Sequence, residues 1–582
     1  MTPRGSPPGR STKRRSISDR VKNVLRPFDR LRAQDERGQA QDEPGTTISA
    51  AVTVLWGAFA LAVGVSLNRG VFSSPAIEWT CGGFVLVMAA VVRAFRPPRV
   101  AVSTPDALQR HYELLYAGLI ALGLFQWQVT PAWDYLARAY VGPCATLGAI
   151  FVVAVVIHAL LPERFRRLAL WLAVVGAAVV WGLNVHYQPR PVIDVWQLQQ
   201  GASDHLVHGH NPYAQLIENS SRNAPYGYRI DHYDYLPLNL LAGLPGYVLG
   251  GDYRYTLVAC MFVIVAMIQL VGRRLQVAPR FVDLCTFAFL LHPSNGFCMI
   301  EAWVEPMLLA AVALFVYFAV RASGGAGESV SLWMVPMMKP YFLAPMLAYV
   351  PMLRPRWRSL GLAALVALAT VLPFLIWNFR ATVEYGLLFT LQHVPFRTDA
   401  LSIPAWLHHT YHWQCGKLPA LCAQLGVGAI CFALLRRRRL GGFLLLSGAS
   451  LYASFLAGSQ AFTNYYFVVG GLLVLAALVL VAPGQDDCKT GRRHFPIHLP
   501  LALEPPGRST LLSSTPLPIV PVRCMPRWSK SRTSILHRAI ANYGSVTPTA
   551  MWSCSPAPTG KRRNKNLVAE KPSNPDRMAL LK

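Results

Sequence analysis

The chain has 582 residues, of which 53% are hydrophobic and 14% charged, and a formal net charge of +27. Soluble domains carry about a quarter charged residues, so this composition excludes an ordinary soluble fold. The basic excess also excludes nucleic-acid binding, because it lies in the two ends of the chain and in short breaks between apolar runs, where membrane topology puts it.

A membrane-spanning helix needs about 20 mostly apolar residues. Residues 1–47 read as a basic, disordered cytosolic tail, and the first apolar run behind them as a signal anchor rather than a cleavable signal peptide. Spans are expected at 48–67, 79–92, 112–129, 141–161 and 168–186, making 48–186 a block of N-terminal transmembrane helices. Arg93, Arg96, Arg99 and Arg110 follow the second span, and Arg164, Arg166 and Arg167 follow the fourth. Excess Lys and Arg mark cytosolic loops, so these clusters join the N-terminal tail inside and place 187–236 outside.

Residues 237–249 are apolar but short and broken by Pro and Gly. The next span, 255–271, ends in Arg273 and Arg274, which stay inside only if 237–249 is re-entrant or interfacial. Irregular backbone at membrane depth needs protein or a water-filled cavity to satisfy it, so this segment is expected to wall a cavity. Further spans are read at 281–297, 306–320, 360–377, 418–435, 440–458 and 465–482. Pro336, Pro340, Pro345 and Pro351 around Lys339 predict a kinked hairpin over 330–352, and 378–417 forms a second long outer loop. The expected fold is an all-α, polytopic transmembrane helix bundle of about 12–14 membrane segments with long extracytoplasmic loops. Its core covers 237–482, and the Pro/Ser-rich basic tail 483–582 reads as disordered and cytosolic, fixing topology first and touching anionic lipid second.

The 11 Cys are scattered without a CxxC or Cys/His cluster, and Cys415 and Cys422 could pair only in an oxidising compartment. The densest polar and aromatic cluster is the first outer loop. Asp194 stands just beyond the fifth span, and Trp196, Leu198, Ala202, Leu206 and Val207 pattern a helix lying along the membrane surface. Gly209-His210-Asn211-Pro212-Tyr213 then stops it. A carboxylate at the membrane surface, partly shielded by aromatic rings, has the tuning a general base needs, with an ordinary helix-capping acid as the alternative. Asp204, Asp231 and Asp234 are rivals. Asp231, His232 and Asp234 form a weak metal signal against the commoner solvated loop acids, so no metal ligand is assigned and a divalent metal stays open as a cofactor.

Lys339 in an apolar, Pro-rich segment is functional by default unless it snorkels to the interface. Lys339, Arg229 and Arg254 are candidates for a lipid phosphate, the first as a point charge and the others as bidentate forks. Trp196 and Tyr213, with Tyr226, Tyr228 and Tyr233, offer sugar-facing rings and hydroxyls. Glu305 stands between a helix-N-terminal charge and a site residue. His408, His409 and His412 are discounted as a metal site for want of a carboxylate or Cys partner.

An Asp past a span, an amphipathic stretch and an L-x-x-G-x-N-P-Y turn ending at Tyr213 resemble the first extracytoplasmic loop of GT-C glycosyltransferases. Within them the pattern is most similar to glycosyltransferase family 87, the bacterial polyprenol-phosphate-mannose-dependent α-mannosyltransferases. Tyr235-Leu236-Pro237, Asp252-Tyr253-Arg254, His292-Pro293, Glu301 to Pro306, Lys339-Pro340-Tyr341 and Gln460 to Tyr466 follow in order, so the resemblance covers 192–482. The chain departs from the pattern in placing several spans before the Asp loop.

The resemblance implies an inverting membrane hexosyltransferase, with Asp194 as base and Asn211, Tyr213, Glu305, Lys339, Gln460, Asn464 and Tyr465 at the substrates. Its partners would be a polyprenyl-phosphate sugar donor, a glycan or glycolipid acceptor and membrane lipid. It further implies a bacterial cytoplasmic membrane, with both termini cytosolic. The competing reading is a secondary transporter or lipid-linked-sugar flippase. No inverted repeat is visible, and the polar cluster lies in a loop rather than at the midplane, which favours the enzyme.

Overall fold

The computed structural model describes residues 45–482, except 69, 96–104, 130–148, 150–152, 154–155, 159–162, 192, 218–229, 354, 390–391, 393–394 and 436–439. Both tails, most of the 141–161 span, Arg229, Tyr226 and Tyr228 therefore lie outside the described residues. Among the described residues the chain is helical between its loops and forms no sheet, only an isolated antiparallel bridge between Val71 and Ala400. Six of these helices are long and apolar enough to cross a membrane. The chain is an integral membrane protein built as an all-α polytopic bundle, the architecture in which each spanning segment satisfies its own backbone.

Helices α1 (Gly45–Leu67) and α2 (Ser74–Phe95) pair closely through small residues. A side chain at Gly57 would put a Cβ 2.8 Å from Val87 Cγ2 and 3.1 Å from the Gly83 carbonyl, so glycine here sets the approach. Helices α3 (Pro105–Val129) and α4 (Glu163–Tyr187) follow, and α4 ends beside the first long loop.

That loop opens with α5 (Asp194–Val207) and leads to α6 (Pro237–Gly250). At 14 residues α6 is too short to cross a membrane; a helix that long measures about 21 Å against a hydrocarbon core of about 30 Å. It lies along α5 instead. Gln199 Nε2 donates to the Asn239 carbonyl (3.3 Å), Tyr247 Oη donates to Asp204 Oδ1 (2.6 Å), and Gln200 Nε2 donates to the Gly251 carbonyl (2.6 Å). Gly251, at φ +73°, turns the chain sharply into α7 (Arg254–Arg274).

The span expected over 281–297 is broken in the structure into α8 (Pro279–Leu290) and α9 (Ser294–Ile300). Pro293 has no N–H for the Phe289 carbonyl, and Asn295 Nδ2 supplies the missing donor, bonding Phe289 O (2.7 Å) and Leu290 O (3.0 Å). Helix α10 (Glu305–Arg321) then descends, and α11 (Ala326–Met338) returns beside it. The chain turns over at Lys339 and goes back as α12 (Leu343–Tyr349), so that Tyr349 Oη donates to Glu328 Oε1 (2.7 Å) at the start of α11. Two antiparallel legs with Lys339 at the apex form the kinked hairpin.

The outward-facing α13 (Arg356–Trp377) leads to the second loop and its helix α14 (Ile403–Tyr411). Helices α15 (Leu418–Leu435), α16 (Leu440–Leu456) and α17 (Thr463–Leu480) complete the bundle. Of the helices long enough to span, α17 is the most deeply buried and α13 the least. An all-apolar helix is either interior or lipid-facing, and these two take the two roles. Cys415 and Cys422 are both free.

Candidate functional site

Asp194 is the first residue of α5, where the helix dipole favours a carboxylate, and its Oδ1 accepts from the Val195 N–H (2.9 Å). Helix α5 is fixed over the hairpin by a chain of amide side chains. Tyr233 Oη donates to Gln199 Oε1 (2.8 Å), Gln199 reaches the Asn239 carbonyl, and Asn239 Nδ2 donates to the Met338 carbonyl (2.6 Å). Gln199 and Asn239 are fully buried, so these bonds stand where water does not compete.

Met338 is the last residue of α11, and the next residue is Lys339. Its ammonium lies 3.5 Å from Glu305 Oε1 and 4.6 Å from the centre of the Tyr235 ring. Glu305 is 1% exposed and also accepts from Asn464 Nδ2 (2.9 Å), so α10, α17 and the hairpin apex meet at one carboxylate. Tyr465 lies within electrostatic reach of Glu305, Asp234 and Asp194, and its ring packs near Tyr341 and Phe455.

Asp234 completes the group. Its Oδ1 is buried with no hydrogen-bond partner among the described residues. Burial first, and the charge of Asp194 second, raise this carboxyl to about 7, against the opposing pull of Lys339. Burial likewise holds the phenols of Tyr213, Tyr233 and Tyr235 well above their usual range, so they stay protonated donors. Asp231 is placed otherwise: it bonds His232 Nδ1 (2.7 Å), and that ring stacks on Tyr385 at 3.9 Å. Among the described residues no set of three or more His, Cys, Asp or Glu is arranged to hold a metal ion.

The structure thus brings together Asp194, Glu305, Lys339, Asn464 and Tyr465 from the sequence-derived set. Asn211 and Tyr213 support them from behind. Asn211 Oδ1 accepts from the Tyr213 N–H (2.9 Å), and Tyr213 Oη donates to the carbonyl of Tyr235 (2.7 Å), the residue whose ring faces Lys339. Gln460 holds the second loop by donating to the Pro395 carbonyl, beside a Leu401 N–H to Ala461 O bond of 2.7 Å.

Arg254 and Trp196 belong to a neighbouring network. Arg254 is fully buried, and its Nε and Nη2 grip Asp252 at 2.7–3.1 Å, while Nη2 also donates to the Gln188 carbonyl (2.6 Å). Trp196 Nε1 donates to the same Asp252 (3.1 Å). These bonds tie α4, α5 and α7 together.

Sequence reasoning overlooked Gln199 and Asn239, and it weighed Asp234 as a rival to Asp194, a weak metal signal or a solvated loop acid. It also passed over Arg397, which clasps Asp399 through two bonds (2.8 and 2.7 Å) and lies over the Phe462 ring. Asp234 had one available signal, its place directly before the Tyr235-Leu236-Pro237 motif.

No family model matches the chain, and no curated protein sequence does. Among solved structures it is similar to that of ArnT from Cupriavidus metallidurans bound to undecaprenyl phosphate, at 16% identity and a TM-score of 0.36. The match spans 53% of this chain and 59% of that one. A likeness of that size assigns neither a fold family nor a ligand.

Proposed function

We propose that the chain is a GT-C-type membrane glycosyltransferase that moves a hexose, mannose on the sequence resemblance, from a polyprenyl phosphate to an extracytoplasmic glycan or glycolipid. The observation that carries this reading is Lys339 at a hairpin apex, set against the carboxyl groups of the loop that begins with Asp194. A cation at the edge of an apolar bundle suits the phosphate of a lipid whose tail stays in the bilayer. A carboxylate facing it from the loop suits the hydroxyl of a polar acceptor.

In the reaction the acceptor O–H gives its proton to Asp194 while its oxygen attacks the anomeric carbon. The bond from that carbon to the phosphate oxygen breaks on the opposite face, and its electron pair leaves with the lipid phosphate beside Lys339. One displacement inverts the anomeric centre and needs one base. The Arg254–Asp252 network acts as a strut that holds α5, and Asp194 with it, in place. Lys and Arg distribution supports both termini in the cytosol and the site on the opposite face of the membrane, which on the resemblance is a bacterial cytoplasmic membrane.

The test is a lipid and glycan profile of host cells with and without the gene. Loss of the gene should leave a polyprenyl-phosphate sugar accumulating on the outer leaflet beside a truncated glycan. Accumulation confined to the cytosolic leaflet would identify a flippase instead, and an unchanged profile would sink both readings.

A further inference from the structure

Among the described residues, three carboxyl groups and one ammonium converge on the site. Asp194 comes from α5, Asp234 from the stretch before α6, Glu305 from α10 and Lys339 from the hairpin apex. The other titratable groups near Asp234 are the phenols of Tyr213, Tyr233, Tyr235 and Tyr465. Arg397 reaches as far as Tyr465, but its fork is closed on Asp399. With every carboxyl ionised the set is net negative, which opposes an anionic donor where little water screens the charge.

The three acids are not equivalent. Glu305 is held by Asn464 and Lys339, and Asp194 Oδ1 accepts a backbone N–H. Asp234 has a buried oxygen that no described donor meets. A carboxylate there has an unmet acceptor, whereas a carboxylic acid has a proton to offer.

Resting on the glycosyltransferase reading, we propose that Asp234 is a proton-dependent gate for the donor: as an acid it donates a hydrogen bond to the donor phosphate beside Lys339, and as an anion it repels that phosphate and occupies the lysine. Burial and the neighbouring Asp194 put the changeover near neutrality, at about 7. Below it, the donor binds with no exchange of protons. Above it, each donor bound draws one proton from solvent onto Asp234.

The experiment uses the full chain in lipid nanodiscs and farnesyl methyl phosphate as probe. This phosphate diester keeps a single charge from about pH 6 to about pH 9, so its own titration does not enter. Native protein should bind it with constant affinity up to about pH 7 and then weaken by up to about tenfold per pH unit. Asp234→Asn should bind it with an affinity that stays flat over the range. Asp194→Asn removes one of the charges that raise the Asp234 carboxyl, so its weakening should begin at lower pH than in the native protein. A packing role for Asp234 would not produce that displacement, and it is read without altering Asp234 itself.

Native binding that is flat with pH, or an Asp234→Asn profile that follows the native one, overturns the gate and leaves the donor reading standing. No binding by the native protein at any pH overturns the donor reading and the gate with it.

Discussion

Arg254 and Lys339 are both basic residues at the loop end of the bundle, both have a carboxylate in reach, and each stands out in the sequence as a phosphate ligand. Their surroundings differ. Arg254 is wholly buried, faces one acid through short bonds and directs its next donor at a main-chain carbonyl. Lys339 is partly open, stands 3.5 Å from its acid and shares its field with Asp234. A buried pair joined through Nε and Nη2 holds elements in place even with Nη1 unbonded among the described residues, and taking one partner away leaves an uncompensated charge. A lone cation among several acids is not matched one to one, and its balance turns on whether Asp234 holds a proton. Local stoichiometry of charge, rather than residue type, separates the strut from the site.

The comparison can be broken in several ways. The largest effect is expected for Asp194→Asn, which should cut sugar transfer by about a hundredfold to ten-thousandfold, the range for losing a general base. Membrane abundance should stay native, and full transfer by this variant would remove Asp194 from the chemistry. Arg254→Met should destabilise the fold by about 3–5 kcal/mol, because Asp252 keeps its buried charge without a partner. Thermal unfolding in detergent checks this, and a stable Arg254→Met protein with poor donor use would exchange the two assigned roles.

Lys339→Gln keeps a donor toward Glu305 but loses the charge, and is expected to raise the donor KM by about tenfold while leaving the acceptor KM unchanged. Equal effects on both would deny Lys339 the phosphate. Tyr213→Phe should cost about 1 kcal/mol of stability through the lost bond to the Tyr235 carbonyl, with a small fall in kcat. No change in either would mean that Tyr235 is positioned without it.

One stability measurement sharpens the same contrast. The Asp234 carboxyl is raised in the fold from its ordinary 3.8 to about 7. The native state therefore binds more protons than the unfolded state between those values. Its contribution is fully present below 3.8 and is lost as pH rises toward about 7. Asp234→Asn should be less sensitive than the native protein across that window, and an identical pH dependence would contradict the burial of this group.

Much of this was legible in the sequence, for physical reasons that differ residue by residue. Apolar length announces a span, so α1, α2, α4, α7 and α13 fall where hydropathy puts them. Lys339 declares itself because an ammonium costs free energy in apolar surroundings. Pro293 carried the break between α8 and α9, but its neighbour Asn295 repairs the lost bonds with a side chain whose partners no hydropathy count reveals. Asp234 was the least legible. Its character comes from burial and from Asp194 and Lys339, which lie far from it along the chain. Arg254 looked like a ligand because the carboxylate that captures it, only two residues away, had to fold back before the pairing existed.

The first helix pair and the last one are also in contact. Helix α1 packs on α17, Tyr452 Oη in α16 donates to the Thr80 carbonyl in α2 (2.6 Å), and the Phe72 N–H in the α1–α2 turn donates to the Asp399 carbonyl in the second loop (3.0 Å). On the ribosome the opening spans must wait in the bilayer without these neighbours until the closing ones have been translated. The contact of Asn464 and Lys339 with Glu305 therefore stays incomplete until α17 has been made. Stalling the chain after Arg439 should yield an inserted product that lacks the proposed sugar transfer, which the addition of α16 and α17, rather than insertion, would restore.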